Sequence, residues 1–341
     1  MYRWYSNCYT LCNRYSCFRC RYSSCLLSSW FFSFNFKWYS TTIPSSFTFY
    51  YYRLMALKRF KDIVDAYDSG NSHYTGWRKV PSQVTTAGVW FDLSMSPWNP
   101  IPQYYAATPM IAQVMKLSDQ WGFFHRRDVS PKKEHLAKST LISSSANAIW
   151  PYILADYLLY YTFIDEGTTD EQFFDNTNTI TRYTDGKGVQ MMAVSVAWRT
   201  GNARFQVKYT NQDWVEGRIT PIHISTTAAA NGSILTSQTT GTTTGNRTSP
   251  FLTLQQGDTG VRKIESITMI DVDVWLFALV LVKPLVNFAF KDVSWPVEID
   301  YIRDKMSMPE IQTDAFLSFI TCPLASLSWV TLMGDFTFFF N

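Results

Sequence analysis

The sequence predicts a mainly β protein, a β-sandwich of jelly-roll-like form with a helical segment in its N-terminal half. Three observations carry this. Residues 251–341 break into short β-branched and aromatic segments, each bounded by Gly, Pro, Asp or Asn, which is how strands joined by turns read. Within them Val274–Val282 is an uninterrupted apolar run, stopped by Lys283-Pro284. It is too short to span a bilayer and too rich in β-formers for a helix, so it reads as a central strand buried on both faces. Upstream, Arg204–Tyr209 alternates polar and apolar side chains, the mark of a strand with one wet face and one dry face.

The chain opens on a segment that does not fit this pattern. Residues 1–54 contain five Arg and one Lys, 19 aromatic residues, five of the six Cys, and no Gly, Ala, Val, Asp or Glu. Those five missing amino acids share no physical property, but all their codons begin with G. The expectation is translation of upstream DNA that does not normally code for protein, with the natural start at Met55 and residues 1–54 disordered if they are made. The Cys17-Phe18-Arg19-Cys20 motif lacks a second CxxC and any nearby His, so it does not make a zinc site. Leu26–Phe36 is broken by Ser28, Ser29, Ser33 and Asn35, which excludes a signal-peptide core and a membrane anchor.

Residues 55–70 read as a short helical arm. Leu57, Phe60, Val64 and Tyr67 recur at near-helical spacing and Ser69-Gly70 ends it. So short a helix needs a surface to dock on, either the body or a neighbouring subunit. The rest, 71–341, is expected to be a single β-rich body. Its turn-rich stretch 73–103 holds a strand at Val89–Leu93 and an extended run forced by Pro97, Pro100 and Pro102. The helical segment is placed at 110–164, from the periodicity of Met110–Trp121 and the hydrophobic run Ser139–Ile164. Residues 165–188 are acidic and turn-forming. Val189–Ser225 reads as an antiparallel meander, and Thr226–Pro250 as a flexible Thr/Ser/Gly loop.

Composition narrows the function classes. With the six basic residues of 1–54 set aside, 24 Lys and Arg face 27 Asp and Glu, so the body is mildly acidic and lacks the footprint of a nucleic-acid binder. The basic run Phe123–Lys138 (Arg126, Arg127, Lys132, Lys133, Lys138) reads as a solvated face. Only Cys322 lies outside 1–54, which suits assembly in a reducing compartment. The sequence has no GxxxxGK[ST], no GxSxG and no HExxH, and its four His (73, 125, 135, 223) are scattered. The oxygen-rich loop with Asp165, Glu166, Asp170, Asp175, Asn176 and Asn178 lacks the Gly and terminal Glu of a calcium loop. Paired carboxylates for glycoside hydrolysis are densest at Asp165, Glu166, Asp170 and Glu171, without a clear sugar platform beside them. No enzyme is predicted; no catalytic, cofactor-binding or metal-ligating residue is assigned.

Several strings carry a resemblance: PFLTLQQGDTGVRKIESITMIDVDVWLFALVLVKPL (250–285), PVEIDYIRDKMSMPEI (296–311), CPLASLSWVTLMGDFTF (322–338), DLSMSPWNPIPQYYAATP (92–109) and DNTNTITRYTDGKGVQMM (175–192). Together they resemble a group of tailed-bacteriophage virion structural proteins, over about Lys79–Phe340 and none of 1–54. The resemblance implies a non-enzymatic, β-rich, oligomeric particle component without a cofactor. The expected role is a capsid or capsid-associated subunit, assembled in the host cytoplasm. Its partners would be copies of itself and other virion proteins, with no membrane or direct nucleic-acid contact. The alternative is a receptor- or carbohydrate-binding virion protein, which calls for exposed aromatic residues such as Trp77, Trp98, Trp214 and Trp295.

Overall fold

The computed structural model describes residue 57 and residues 59–119, 122–126, 128–225, 228–235 and 249–341, all within one compact unit, Arg53–Asn341. Residues 1–54, with their CxxC, lie outside the described residues, as does most of the 226–250 loop.

The chain starts with helix α1 (Phe60–Asp68) and strands β1 (Ser72–Lys79), β2 (Phe91–Asp92), β3 (Trp98–Asn99) and β4 (Gln113–Val114). Two long strands follow, β5 (Glu134–Ser143) and β6 (Trp150–Asp165), then β7 (Gln172–Phe173) and β8 (Gln190–Ser195). Next come β9 (Arg199–Thr200), β10 (Arg204–Asn211), β11 (Arg218–Ile219), β12 (His223–Ile224) and β13 (Ala228–Ala229). The last third holds β14 (Val261–Met269), β15 (Leu276–Phe290), β16 (Val297–Asp300), β17 (Glu310–Ile311), β18 (Phe316–Thr321) and β19 (Leu332–Phe340). The protein is mainly β, as the sequence predicts.

Among the described residues, three larger antiparallel sheets and a two-stranded β9–β13 ribbon make up the body. Sheet I runs β16-β5-β19-β1-β3, with β17 also on β5; sheet II runs β2-β18-β6-β15-β8, with β4 also on β6; sheet III runs β11-β10-β14-β7, with β12 also on β10. Sheet II is the spine. One half of its long β6–β15 pair packs on sheet I, through Tyr152, Leu154, Phe288 and Phe290 against Leu136, Leu332, Phe336 and Phe338. The other half packs on sheet III, through Leu159, Tyr161, Phe277 and Leu279 against Phe205, Val207, Ile264 and Ile267. Its opposite face, with Ala155, Tyr157, Val280 and Val282, is covered by Trp90, Met95, Tyr105 and Met115.

Strands this long drift out of register with a flat apolar face, and β-bulges correct the drift. The β6–β15 ladder skips Leu158 on one strand and Leu285 on the other. Each extra residue shifts the side-chain alternation by one. As a result, odd positions before the bulge on β15 (277, 279, 281) and even positions after it (286, 288, 290) all face sheets I and III.

The predicted helical segment at 110–164 is corrected by this architecture. Ser139–Ile164 is the end of β5, a short turn and β6, and Met110–Asp119 supplies only β4 and one 3-10 turn at Leu117–Asp119. A strand buried on both faces has no wet side, so its sequence is continuously apolar and mimics a buried helix. β6 has core clusters on both faces, and it is rich in Tyr, with two Ile, residues that favour strands. Of the run Val274–Val282, Phe277–Val282 is central and buried as predicted, between β6 and β8, but Val274 is 82% exposed ahead of the strand and Lys283-Pro284 does not end it. Pro284 lies beyond the last partner on β8 and beside the bulge at Leu285, the kind of position where a sheet tolerates proline. The predicted meander at 189–225 is divided: β8 joins sheet II beside β15, whereas β10, β11 and β12 build sheet III.

In sheet I, β19 crosses β5 closely at Gly334. A Cβ there would sit 1.9 Å from the Thr140 carbonyl oxygen, with no flexible side chain to yield. Gly334→Ala is therefore expected to cost at least the upper end of the ~1–3 kcal/mol typical of overpacking, read as a lowered urea midpoint.

Candidate interaction surfaces

In the acidic loop the oxygens serve the scaffold. Asp165 Oδ1 accepts the Gly167 amide at 2.7 Å, and Asp175 Oδ1 accepts the Thr177 amide at 2.8 Å. Asn176 Nδ2 donates to the Ile264 carbonyl at 2.7 Å, and Asn178 Nδ2 to that of Ala112 at 2.8 Å. Glu171 accepts the Ser266 hydroxyl, and Glu166 is fully buried. Among the described residues no group of three His, Cys, Asp or Glu side chains is placed to hold a metal.

The basic run is a solvated face, as its spacing suggests. Lys132 donates to Asn71 at 2.7 Å, Lys133 to Glu310 at 2.9 Å, and Lys138 sits 2.6 Å from Glu298. Arg126 and Lys132 lie over the Phe340 ring, and Arg127 is outside the described residues. His125, from the same run, is buried against Glu134, with Nδ1 2.7 Å from its carboxylate and Nε2 2.9 Å from the Ala315 carbonyl. Burial opposes a charge on this ring, but Glu134 and the carbonyl overcome it and hold its pKa above the ordinary value. The site is a closed buried pair, not an open reaction centre.

Two further buried polar clusters were not legible in the sequence. Asp92 accepts from Tyr157 Oη at 2.6 Å, Tyr105 Oη, the Ser94 hydroxyl and the Ser94 amide, which pins the segment after β2 to β6. Nearby, Lys79 is fully enclosed and donates to the Ser96 and Pro100 carbonyls at 2.9 and 2.8 Å. Burial pulls its pKa down to about 7, against the attraction of Asp92. The second is an ion pair, with Arg182 gripping Asp156 through Nε and Nη2, each at 2.8 Å.

Exposed apolar side chains are spread over the surface, and those on the outer face of sheet I adjoin two concavities. At one end of that face lies α1, docked through Ile63 and Ala66 on Ala137 and Phe339. The stripe predicted from spacing points elsewhere. Leu57 is packed down, but Phe60 is 71% exposed, Tyr67 67% and Val64 39%, so the helix carries two apolar faces and uses one. A crevice of about 660 Å³ lies beside it, lined by Phe60, Ile63, Tyr301, Met306 and Met308.

At the other end the face is uncovered, and an open groove of about 590 Å³ runs across it. β1 contributes Tyr74, Gly76 and Arg78; β5 contributes Thr140 and Ile142; β19 contributes Met333, Gly334 and Asp335; Asn99 and Pro296 close the ends. The Arg78 guanidinium lies 4.3 Å from the centre of the Trp98 ring, a cation–π contact. Trp98 has φ 90°, a conformation costing a bulky residue about 1–3 kcal/mol and concentrated at functional sites. Of the four Trp predicted to be exposed, Trp98, Trp214 and Trp295 are, whereas Trp77 is a core residue packed on Phe123, Phe319 and Phe336. The groove residues come from strands separated by up to 260 positions, so the only local sign of them is the alternation of HYTGWRK and the glycine in LMGDF.

No protein-family model matches the chain, and no match to it is found among curated proteins or solved structures. Among the described residues no helix is long and apolar enough to cross a membrane.

Proposed function

We propose that this chain is a structural, non-enzymatic subunit of a bacteriophage particle, in the capsid or attached to it, acting through subunit–subunit contacts. The observation that carries this reading is the exposed apolar stripe Phe60, Val64 and Tyr67 on α1. A short helix that docks by one apolar face and presents another is built to be covered twice. The occupant proposed is a second copy of the same chain. Lys61 lies toward the start of the helix, where it already pairs with Asp65 of its own chain at 2.7 Å, and Asp68 lies at its end. An antiparallel copy sets Lys61 of each helix beside the acids of the other, so the surface is self-complementary in charge. The string resemblance supplies the particle, and the jelly-roll-like description of the sandwich belongs to the same proposal, since virion shells interlock β units of that kind.

Two measurements test it. Mass spectrometry of purified particles from the source is expected to recover peptides of this chain in stoichiometric amount; their absence sinks the virion reading. Sedimentation of the full chain is expected to show self-association that Phe60→Glu with Tyr67→Glu abolishes at unchanged melting temperature, because both side chains are exposed. A chain that stays monomeric at every concentration tested removes the interface.

A second reading, a receptor- or carbohydrate-binding virion protein, is favoured by one observation: the groove on sheet I with Tyr74 and Trp98 at its side.

A further inference from the structure

We propose that the sheet I groove is a saccharide site that takes a neutral pyranose of an oligosaccharide chain, a proposal that rests on the second reading above. The floor is the first argument. Gly76 carries no side chain into the groove, and a Cβ built on it would meet nothing nearer than the Gly334 carbonyl oxygen at 3.7 Å. The space over the floor is thus empty by sequence, not by the withdrawal of a flexible side chain.

The walls give the chemistry. Tyr74, which lines the groove, is 67% exposed, and Trp98, just outside the lining with Arg78 on one face of its ring, is 56% exposed; sugar rings present a C–H face that packs on such aromatic surfaces. Between them stand hydrogen-bonding groups of both kinds. Arg78 makes no ion pair among the described residues, and exposed Asn99 adds an amide. Asp335 accepts the Thr140 hydroxyl at 2.6 Å through Oδ2 and leaves Oδ1 as an acceptor. Aromatic faces with a few fixed donors and acceptors are what a ring of hydroxyl groups requires.

The same features argue against other occupants. Arg78 and Asp335 balance in charge, so the groove offers no anion funnel for nucleic acid or a phosphorylated headgroup. The floor is the face of a sheet, and β3 covers the edge of β1 at Arg78 and Lys79, so a strand added along the rest of that edge would lie beside the groove and not in it. Trp295, next to groove-lining Pro296, is 75% exposed and extends the aromatic surface for a second sugar unit.

The test uses the full chain on an array of neutral and acidic oligosaccharides, followed by titration calorimetry with the best neutral hit. Binding to a neutral oligosaccharide is expected. Gly76→Leu, which fills the groove from a position where a side chain is tolerated, is expected to weaken it at least tenfold without lowering the melting temperature. Tyr74→Ala, on an exposed side chain, is expected to weaken it as well, and Trp214→Ala, on sheet III's side of the molecule, to leave it unchanged. No neutral hit, hits confined to acidic sugars, or binding indifferent to both groove substitutions overturns the proposal. Particle association, read separately by mass spectrometry with the Gly76→Leu chain, distinguishes loss of this site from failure of the structural role: the variant is expected to assemble normally.

Discussion

Arg182→Met is expected to lose about 3–5 kcal/mol of stability, because it strands a charge in the interior. Asp156 is fully buried on β6, and its carboxylate accepts two hydrogen bonds from Arg182 and one from the Phe316 amide at 3.0 Å. Arg182 in turn donates to the carbonyls of Met115 and Tyr157 at 3.0 and 2.8 Å, so one side chain joins three segments. Burial pushes the Asp156 pKa up, and the guanidinium opposes that. Without the guanidinium only the Phe316 amide and His125 are left to oppose burial. A carboxyl whose folded pKa is raised favours the folded state in its protonated form and loses that advantage as pH rises through the raised value. The deficit of Arg182→Met is therefore expected to be largest at neutral pH and to narrow as pH falls toward the ordinary carboxylate range. Adding Asp156→Leu, which removes the stranded charge, is expected to restore most of the loss. Urea unfolding of the three variants at several pH values measures all of this. A single variant within about 1 kcal/mol of the parent at neutral pH contradicts the account.

Phe319→Ala is expected to cost a similar amount, about 3–5 kcal/mol, by a different route. Phe319 is fully buried in β18, and its ring lies 5.1 Å from Trp77, 5.2 Å from Phe123, 5.5 Å from Phe288, 5.9 Å from Phe336 and 6.0 Å from Tyr152. Those neighbours sit on both sheets I and II, so truncation opens a void where the two layers meet. Aromatic rings held by strands on every side cannot collapse into it. Phe319→Leu, which keeps most of the volume, is expected to lose less than half as much. Equal losses for Leu and Ala would show that ring-to-ring geometry, not volume, decides the site.

Much of the fold is legible in the sequence where one strand has one wet face. Arg204–Tyr209 alternates and is β10; Ser69-Gly70 stops α1, with Gly70 at φ 70°. Legibility fails where burial removes the alternation, as in β6, or where a short strand is defined only by its partner, as in β2, β3 and β4. It fails on α1 for the opposite reason. Two apolar stripes are present, and spacing alone cannot say which is docked; Phe60, Val64 and Tyr67 made the clearer pattern, yet Ile63 and Ala66 face the sheet. The groove was beyond reach because it is an absence, a missing side chain at Gly76, framed by residues brought together by pairing of β1 with β19 and β3, and of β19 with β5.

That pairing also bears on when the protein can fold as it is made. β19, residues 332–340, lies between β5 and β1 in the middle of sheet I. Until it leaves the ribosome, β1 has only β3 beside it, and β5 has only β16 and β17. Both strands must wait through the synthesis of some 190 residues after β5 with their apolar faces open to solvent. Sheet III, whose strands fall within 172–269, has no such wait. Nascent chains are thus expected to carry a finished sheet III and an unfinished sheet I, and a helper that shields exposed strands would act in that interval.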